Sequence, residues 1–167
     1  MITAKSLQDQ SPQVRYLAGD QVITPTITLY AEPPVVRQGE SVTLYGFLNI
    51  PFDPDKNNFI DVMDLMTVAR AYGSYPGHPN WNPDADINKD GFVDVMDLLI
   101  LASLYGQTAA GKPIEIQKLE GENWVTVARL TTSFYEGVDG YFSFQYEVTE
   151  APPTTLYFRA YFPGGEY

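Results

Sequence analysis

A stretch of 21 residues occurs twice in this chain, and this duplication constrains the fold more than any other feature. The first copy, DPDKNNFIDVMDLMTVARAYG, runs from Asp53 to Gly73, and the second, DINKDGFVDVMDLLILASLYG, runs from Asp86 to Gly106. The copies are offset by 33 residues and align without a gap. Each begins with closely spaced acidic and amide side chains and continues into the same FxDVMDLxxxAxxYG pattern. The sequence therefore predicts a repeated structural unit.

The second copy has the oxygen spacing of a twelve-residue calcium loop. Calcium takes six to eight oxygen ligands, which such a loop supplies from alternate positions around a sharp turn. Gly91 stands at the turn, at position 6. The predicted ligands at positions 1, 3, 5, 7, 9 and 12, with a backbone carbonyl at position 7, are Asp86, Asn88, Asp90, Phe92, Asp94 and Asp97.

The first copy offers the same pattern with two departures. Pro54 stands at position 2, and Asn58 replaces the glycine at position 6. Asparagine tolerates a positive φ better than most residues, so the strain there should be modest. Because of the two departures together, we still expect the first loop to bind calcium more weakly than the second. The predicted ligands are Asp53, Asp55, Asn57, the Phe59 carbonyl, Asp61 and Asp64.

The charge of the repeat region supports a metal. Residues 51–106 contain nine aspartates and three lysines or arginines, a formal charge of −6 that two calcium ions would bring to −2. Without cations the aspartates of each loop repel one another, so we expect metal binding to be coupled to folding. The alternative is that these segments are solvated acidic turns, which would not require ligand spacing.

A helix of about eleven residues is predicted after each loop. Asp61 and Asp94 are candidate N-caps, and Gly73 and Gly106 are candidate stops. Apolar residues at helical spacing predict that the two helices pack together. The predicted stripes are Val62, Leu65, Val68, Ala69 and Tyr72 in one helix and Val95, Leu98, Leu101, Ala102 and Tyr105 in the other.

Residues 53–106 resemble the dockerin type I family. Position 12 is aspartate in both loops, where the general calcium-binding helix-loop-helix has glutamate, and neither loop follows a long entering helix. The resemblance rests on these loops, the Asp-Leu pair in each and the glycine after each helix. It implies calcium-dependent docking to a cohesin-like partner through positions 10 and 11 of the loops. The residues at those positions are Val62, Met63, Val95 and Met96.

Those four residues allow a second interpretation. They could pack the calcium module against the rest of the chain instead of facing a partner, and for the two valines we expect packing.

The rest of the chain predicts antiparallel strands. Residues 26–31 and 41–48 alternate, with Ile27, Val42, Leu44 and Leu48 among the inward residues, and the pattern resumes in KPIEIQKL, WVTVARL, GYFSFQYEV and TLYFRAYF. Two strands cannot bury a face alone, so the early pair needs the later four. We therefore predict a mostly β fold: an immunoglobulin-like sandwich of residues 23–50 and 107–167, carrying a two-loop, two-helix dockerin-like module inserted at residues 51–106.

Residues 1–22 are predicted to be a tail or an extra strand. Immunoglobulin-like sandwiches usually continue into a further strand after the one that corresponds to residues 155–162. The edge of this strand therefore needs another partner. Residues 13–17, where Val14 and Tyr16 alternate, could fill this edge within the chain or by exchange with a neighbouring domain or chain, although a frayed tail is the preferred interpretation.

Composition excludes several functions. The net charge of −11 argues against nucleic-acid binding, and one histidine, His78, with no cysteine cannot build a histidine triad or a multi-histidine zinc site. The aspartate clusters belong to the loops, so we expect no enzymatic activity.

The location of the protein has weaker signals. The chain has no apolar run long enough to predict membrane insertion, and the N-terminus lacks a signal-peptide pattern. We expect an extracellular or cell-surface segment of a larger protein.

The functional prediction is a non-enzymatic calcium-binding segment with a structural or protein-interaction role. The alternative is a carbohydrate-binding accessory domain of a polysaccharide-active enzyme, with structural calcium, because the chain has 12 tyrosines, nine phenylalanines and two tryptophans. Trp81 and Trp124 are the first residues to test for that role. A calcium-regulated sensor is a third possibility, weakened by the missing entering helices.

Overall fold

The structure is a computed structural model that describes residues 1–7, 16–18, 21–23 and 25–164. These residues form two helices, α1 (Val62–Ala71) and α2 (Val95–Leu104), and twelve strands. The strands are β1 (Ile2–Ser6), β2 (Tyr16–Ala18), β3 (Gln21–Ile23), β4 (Thr26–Ile27), β5 (Tyr30–Glu32), β6 (Val35–Val36), β7 (Ser41–Asn49), β8 (Pro113–Glu120), β9 (Asn123–Thr131), β10 (Ser133–Tyr135), β11 (Val138–Glu147) and β12 (Thr154–Tyr161).

Ten of the twelve strands in the described residues belong to two five-stranded sheets. The first has the order β6-β1-β12-β8-β9. The second has the order β10-β11-β7-β4, and β5 pairs with another part of β7. A separate hairpin joins β2 and β3, and β2 lies beside α2. The prediction of a mostly β fold with two helices is confirmed.

The inward faces of both sheets contribute to one hydrophobic core. In β7 the side chains of Val42, Leu44 and Leu48 are fully buried, as their alternation predicts, and in β12 Phe158 is fully buried. Gly46 belongs to the same inward row of β7. Only glycine fits at this position, because a side chain there would overlap the backbone carbonyl of Thr28. The predicted inward residues are therefore confirmed in β7.

Both helices lie in the connection between the two sheets. β7 belongs to the second sheet and β8 to the first, and α1 and α2 fall between them in the sequence. Residues around Ile60, Val93 and Leu101 are buried in the same core as the strands. Among the described residues, no helix is long and apolar enough to cross a membrane.

The strand beside β12 comes from the start of the chain. β1 runs parallel to β12, with Ile2 opposite Thr154 and Ser6 opposite Phe158. Ile2 is fully buried and Ala4 nearly so. Residues 2–6 therefore cover this edge of β12 within the chain.

The segment proposed for that edge, residues 13–17, lies elsewhere or outside the described residues. Residues 13–15 are not described, whereas Tyr16 and Leu17 belong to β2 and pair with β3. No local pattern identifies β1 as a strand, because ITAKS is short and its partner is more than 150 residues away in the chain.

Truncating Ile2 should destabilise the whole fold. Ile2→Ala removes a fully buried side chain and leaves a cavity, so we expect the free energy of unfolding to fall by about 2–4 kcal/mol in urea denaturation. The control is Lys5→Ala in the same strand, where the side chain is exposed and the change should stay within about 0.5 kcal/mol. Equal stability of the two variants would contradict the placement of β1 in the core.

Candidate metal centre

Each helix begins on a pair of aspartates from its loop. In α1 the N–H of Met63 donates to Asp61 Oδ1 at 2.6 Å, and the N–H of Asp61 donates to Asp64 Oδ2 at 2.8 Å. Asp94 and Asp97 repeat this capping box at the start of α2. The predicted N-caps are confirmed, and Asp64 and Asp97 are held at the junction of loop and helix, where both are fully buried.

The first loop gathers three carboxylates. One oxygen from each of Asp53, Asp55 and Asp64 lies within 4.8 Å of the others. Burial raises the pKa of Asp53 to about 7, and the hydrogen bond that it accepts from the Asn58 N–H offsets only part of this rise. The negative charges of Asp64 and Asp55 raise the pKa further. Burial, together with the Asp55 charge, also raises the pKa of Asp64. A divalent cation would relieve this crowding and would stabilise the ionised carboxylates.

The second loop contains a buried oxygen without a partner. Asp86 is 4% exposed, and its Oδ2 accepts from the N–H of Gly91 at 3.1 Å. Its Oδ1 is buried and has no hydrogen-bond partner among the described residues. A buried acceptor left unsatisfied costs about 1–3 kcal/mol, more when it is charged. A cation bound in the loop would satisfy this oxygen, so the residues present fit calcium.

Asp97 closes the second loop from the side of the helix. Its Oδ1 accepts from the N–H groups of Ile87 and Asn88 at 2.7 and 3.2 Å. Asn88 Nδ2 donates to Asp90 Oδ2 at 2.9 Å. Within the described part of the chain, three carboxylates come within 4.8 Å only in the first loop. The expected weaker binding of the first loop stays a prediction.

The turn at position 6 has the predicted conformation in both loops. Gly91 has φ +90° and Asn58 has φ +63°. Lys89 and Lys56, at position 4, also have positive φ, which is uncommon for lysine and was not predicted. The remaining predicted ligands also lie along the loops: Asn57, Asp61, Asp94 and the carbonyl-bearing Phe59 and Phe92. Both phenylalanine side chains are exposed.

The two repeats interlock through position 8 of each loop. Ile60 N–H donates to Gln107 O at 2.9 Å, and Gly106 N–H donates back to Ile60 O at 2.8 Å. Val93 pairs in the same way with Ser74 and Gly73 after the other helix. Each loop is therefore tied to the end of the opposite helix, which makes the pair one pseudo-twofold unit. The segment before each loop is not helical.

Comparison with known families agrees with this geometry: residues 51–104 match the model of the dockerin type I domain. This segment is a dockerin type I domain. Domains of this family bind calcium and dock onto cohesins. A search of curated proteins gave no match to the chain.

The first loop of the dockerin is fastened to the strands. Asn58 is 4% exposed, and its side chain accepts from Ile50 N–H at 3.1 Å and donates to Asp139 O at 3.0 Å and to Asn49 Oδ1 at 3.3 Å. Its carbonyl accepts from Ala109 N–H at 3.0 Å. Asn57 O accepts from Asp139 N–H at 2.8 Å. Asn58 therefore links the loop to β7 and β11, a role beyond the turn that the sequence assigned to it.

The outward face of the dockerin helices is apolar. Val62 and Val95 are 52% and 50% exposed, so the expectation that these valines pack against the rest of the chain is wrong. Met63 and Met96 are exposed beside them. The predicted apolar stripes were also wrong in part, because four of their residues are exposed: Ala69, Tyr72, Ala102 and Tyr105.

The buried side of the helices keeps Val68 and Leu101 from the predicted stripes and adds Ala71 and Leu104. Val68 and Ala71 in α1 correspond to Leu101 and Leu104 in α2, and all four are buried. Met66 and Leu99 are also exposed on the outward side, and neither was predicted there. Each lies four residues after an exposed valine, and that helical spacing could have identified it.

The remaining candidate residues have ordinary structural surroundings. Trp81 is half-buried and packs against the core. The ring of Trp124 has the Arg159 guanidinium 4.5 Å from its centroid. His78 accepts from Asn80 N–H at 3.2 Å in the connector between the repeats, and its ring contacts Tyr75.

Replacing Asn58 by glycine should separate its two roles. Asn58→Gly keeps the positive φ but removes three side-chain hydrogen bonds, so we expect the free energy of unfolding to fall by about 1–3 kcal/mol in urea denaturation with calcium present. The matched control is the reverse exchange, Gly91→Asn, at a turn where a Cβ meets nothing within 4 Å. It should cost clearly less. A cost for Gly91→Asn as large as that for Asn58→Gly would contradict the anchoring role.

Proposed function

We propose that this protein is a non-enzymatic, calcium-binding segment of a larger extracellular or cell-surface protein, and that its dockerin docks onto a cohesin domain. The observation that carries the proposal is the duplicated juxtaposition of an aspartate-rich loop and an exposed valine-methionine pair on the helix that follows it. The loops supply the cation sites and the helices supply the surface.

Two calcium ions would be bound, one in each loop. Asp86, Asn88, Asp90, Asp94, Asp97 and the Phe92 carbonyl would hold one ion, and the corresponding residues from Asp53 to Asp64 would hold the other. The unpartnered Asp86 Oδ1 and the crowded first-loop carboxylates support this assignment. The ions would neutralise the buried carboxylates and so favour the folded loops.

The dockerin would be an insertion in an immunoglobulin-like sandwich of residues 23–50 and 107–167, to which β1 adds a strand. The boundaries are supported by the position of both helices between β7 and β8, strands of different sheets that share one core. The ties of Asn57 and Asn58 to Asp139 mean that ion binding would stabilise the sheets as well as the loops.

The cohesin-binding surface would consist of equivalent residues from the two helices. Val62, Met63 and Met66 in α1 match Val95, Met96 and Leu99 in α2, and all six are exposed. Apolar side chains grouped in this way are typical of a protein interface. The pseudo-twofold relation would allow either helix to take the leading position on the partner.

A charge placed in the centre of this surface should abolish docking. In titration calorimetry of the whole chain against a panel of cohesin domains with calcium, the double substitution Val62→Asp with Val95→Asp should weaken binding about 100-fold or more, because two apolar anchors at the centre of an interface are replaced by desolvated charges. Chelation of calcium should abolish binding as well.

The matched control is Val125→Asp, an exposed valine on β9 away from the helices, which should bind like the wild type. Failure of the wild type to bind any cohesin, or an equal loss in the control, would overturn the docking proposal.

A further inference from the structure

The outer face of the second sheet carries a row of aromatic rings that neither calcium binding nor docking uses. This aromatic face consists of Tyr30, Tyr45, Phe47, Tyr135 and Tyr141. Ring centroids are 5.4 Å apart for Tyr30 and Tyr45, 5.4 Å for Phe47 and Tyr141, and 4.4 Å for Tyr135 and Tyr141. These contacts form two groups of rings, one that joins β5 to β7 and one that joins β7, β11 and β10.

Strand register places these rings on one side of the sheet. Tyr141 lies opposite Phe47, and Tyr30 lies opposite Tyr45. Tyr45 and Phe47 alternate with the buried residues of β7, so their side chains point away from the core. Tyr30 is 51% exposed and Tyr135 is 45% exposed. The rings on this outer side therefore do not belong to the hydrophobic core between the two sheets.

The aromatic face continues into a groove at the edge of the sheet. A depression of about 400 Å³ lies between β1 and β5, and its lining includes Tyr30, Tyr45, Lys5, Ser6 and Glu32. The groove therefore combines two aromatic rings with an ammonium group, a carboxylate and hydroxyl groups. Its volume lies within the range of ligand-binding clefts.

We propose that the groove and the aromatic face bind a neutral, ribbon-shaped polysaccharide. A sugar ring in a β-1,4-linked chain has apolar C–H faces and a polar rim of hydroxyl groups, which matches aromatic rings bordered by hydrogen-bonding side chains. The net charge of −11 disfavours nucleic acids and acidic polysaccharides, because both would be repelled. A series of rings that extends across four strands suits an extended chain better than a coiled one.

This site is separate from the dockerin. All five residues of the aromatic face, and the groove residues from Lys5 to Glu32, lie outside residues 51–104. Sugar binding would therefore continue when cohesin docking fails. The structure also points away from Trp81 and Trp124 as the sugar-binding residues, because Trp81 packs against the core and Arg159 lies over Trp124.

The test is affinity gel electrophoresis of the calcium-loaded whole chain in gels that contain a soluble β-1,4-glucan, xylan, mannan or, for comparison, a coiled α-glucan. We expect at least one of the β-1,4-linked polymers to retard the wild type. Tyr30→Ala and Tyr45→Ala should each weaken that binding at least about tenfold, as the loss of one stacking ring predicts.

The matched control is Tyr75→Ala, a tyrosine 49% exposed in the connector between the repeats, which should be retarded like the wild type. Thermal melting checks that each variant is folded, and Tyr30→Phe, which keeps the ring, should retain most of the binding. The proposal is overturned if none of the β-1,4-linked polymers retards the wild type, if only the α-glucan does, or if Tyr75→Ala loses as much binding as Tyr30→Ala.

Discussion

Two fully buried carboxylates, Asp64 and Asp97, are the constraint on which the rest of the dockerin depends. Each accepts backbone N–H groups from its own loop and from the start of the following helix, so it fixes the loop and the helix together. Burying such a group beside other aspartates is unfavourable unless a cation balances it. The fold of the loops and the proposed requirement for an ion therefore have the same physical origin.

That constraint reaches both the surface and the sheets. The capped helices turn Val68 and Leu101 inwards and leave Val62 and Val95 outside, which creates the apolar surface proposed for docking. In the opposite direction, Asn58 and Asn57 connect the first loop to β7 and β11. Calcium in the first loop would thus influence the stability of the strands around it.

The sequence predicted the features that depend on local spacing. Loop positions, caps and the inward residues of β7 follow from patterns within about twelve residues, and the structure confirms the caps and these inward residues. The side of the helices that faces the core was predicted only in part. Val68 and Leu101 are buried as expected, but apolar residues such as Tyr72 and Met66 are exposed, so helical spacing of apolar residues does not by itself separate the two sides. The pairing of β1 with β12 and the anchoring bonds of Asn58 depend on contacts between distant residues, which no local pattern encodes.

Calcium titration by calorimetry, combined with thermal melting, tests the central claim most directly. The wild type should bind two ions, and Asp64→Asn and Asp97→Asn, which remove a charge but keep an acceptor oxygen, should each lose one. Calcium at 100 times its Kd should stabilise the wild type by about 2.7 kcal/mol per site, which raises the melting temperature. Identical melting of the wild type in calcium and in chelator would contradict the account.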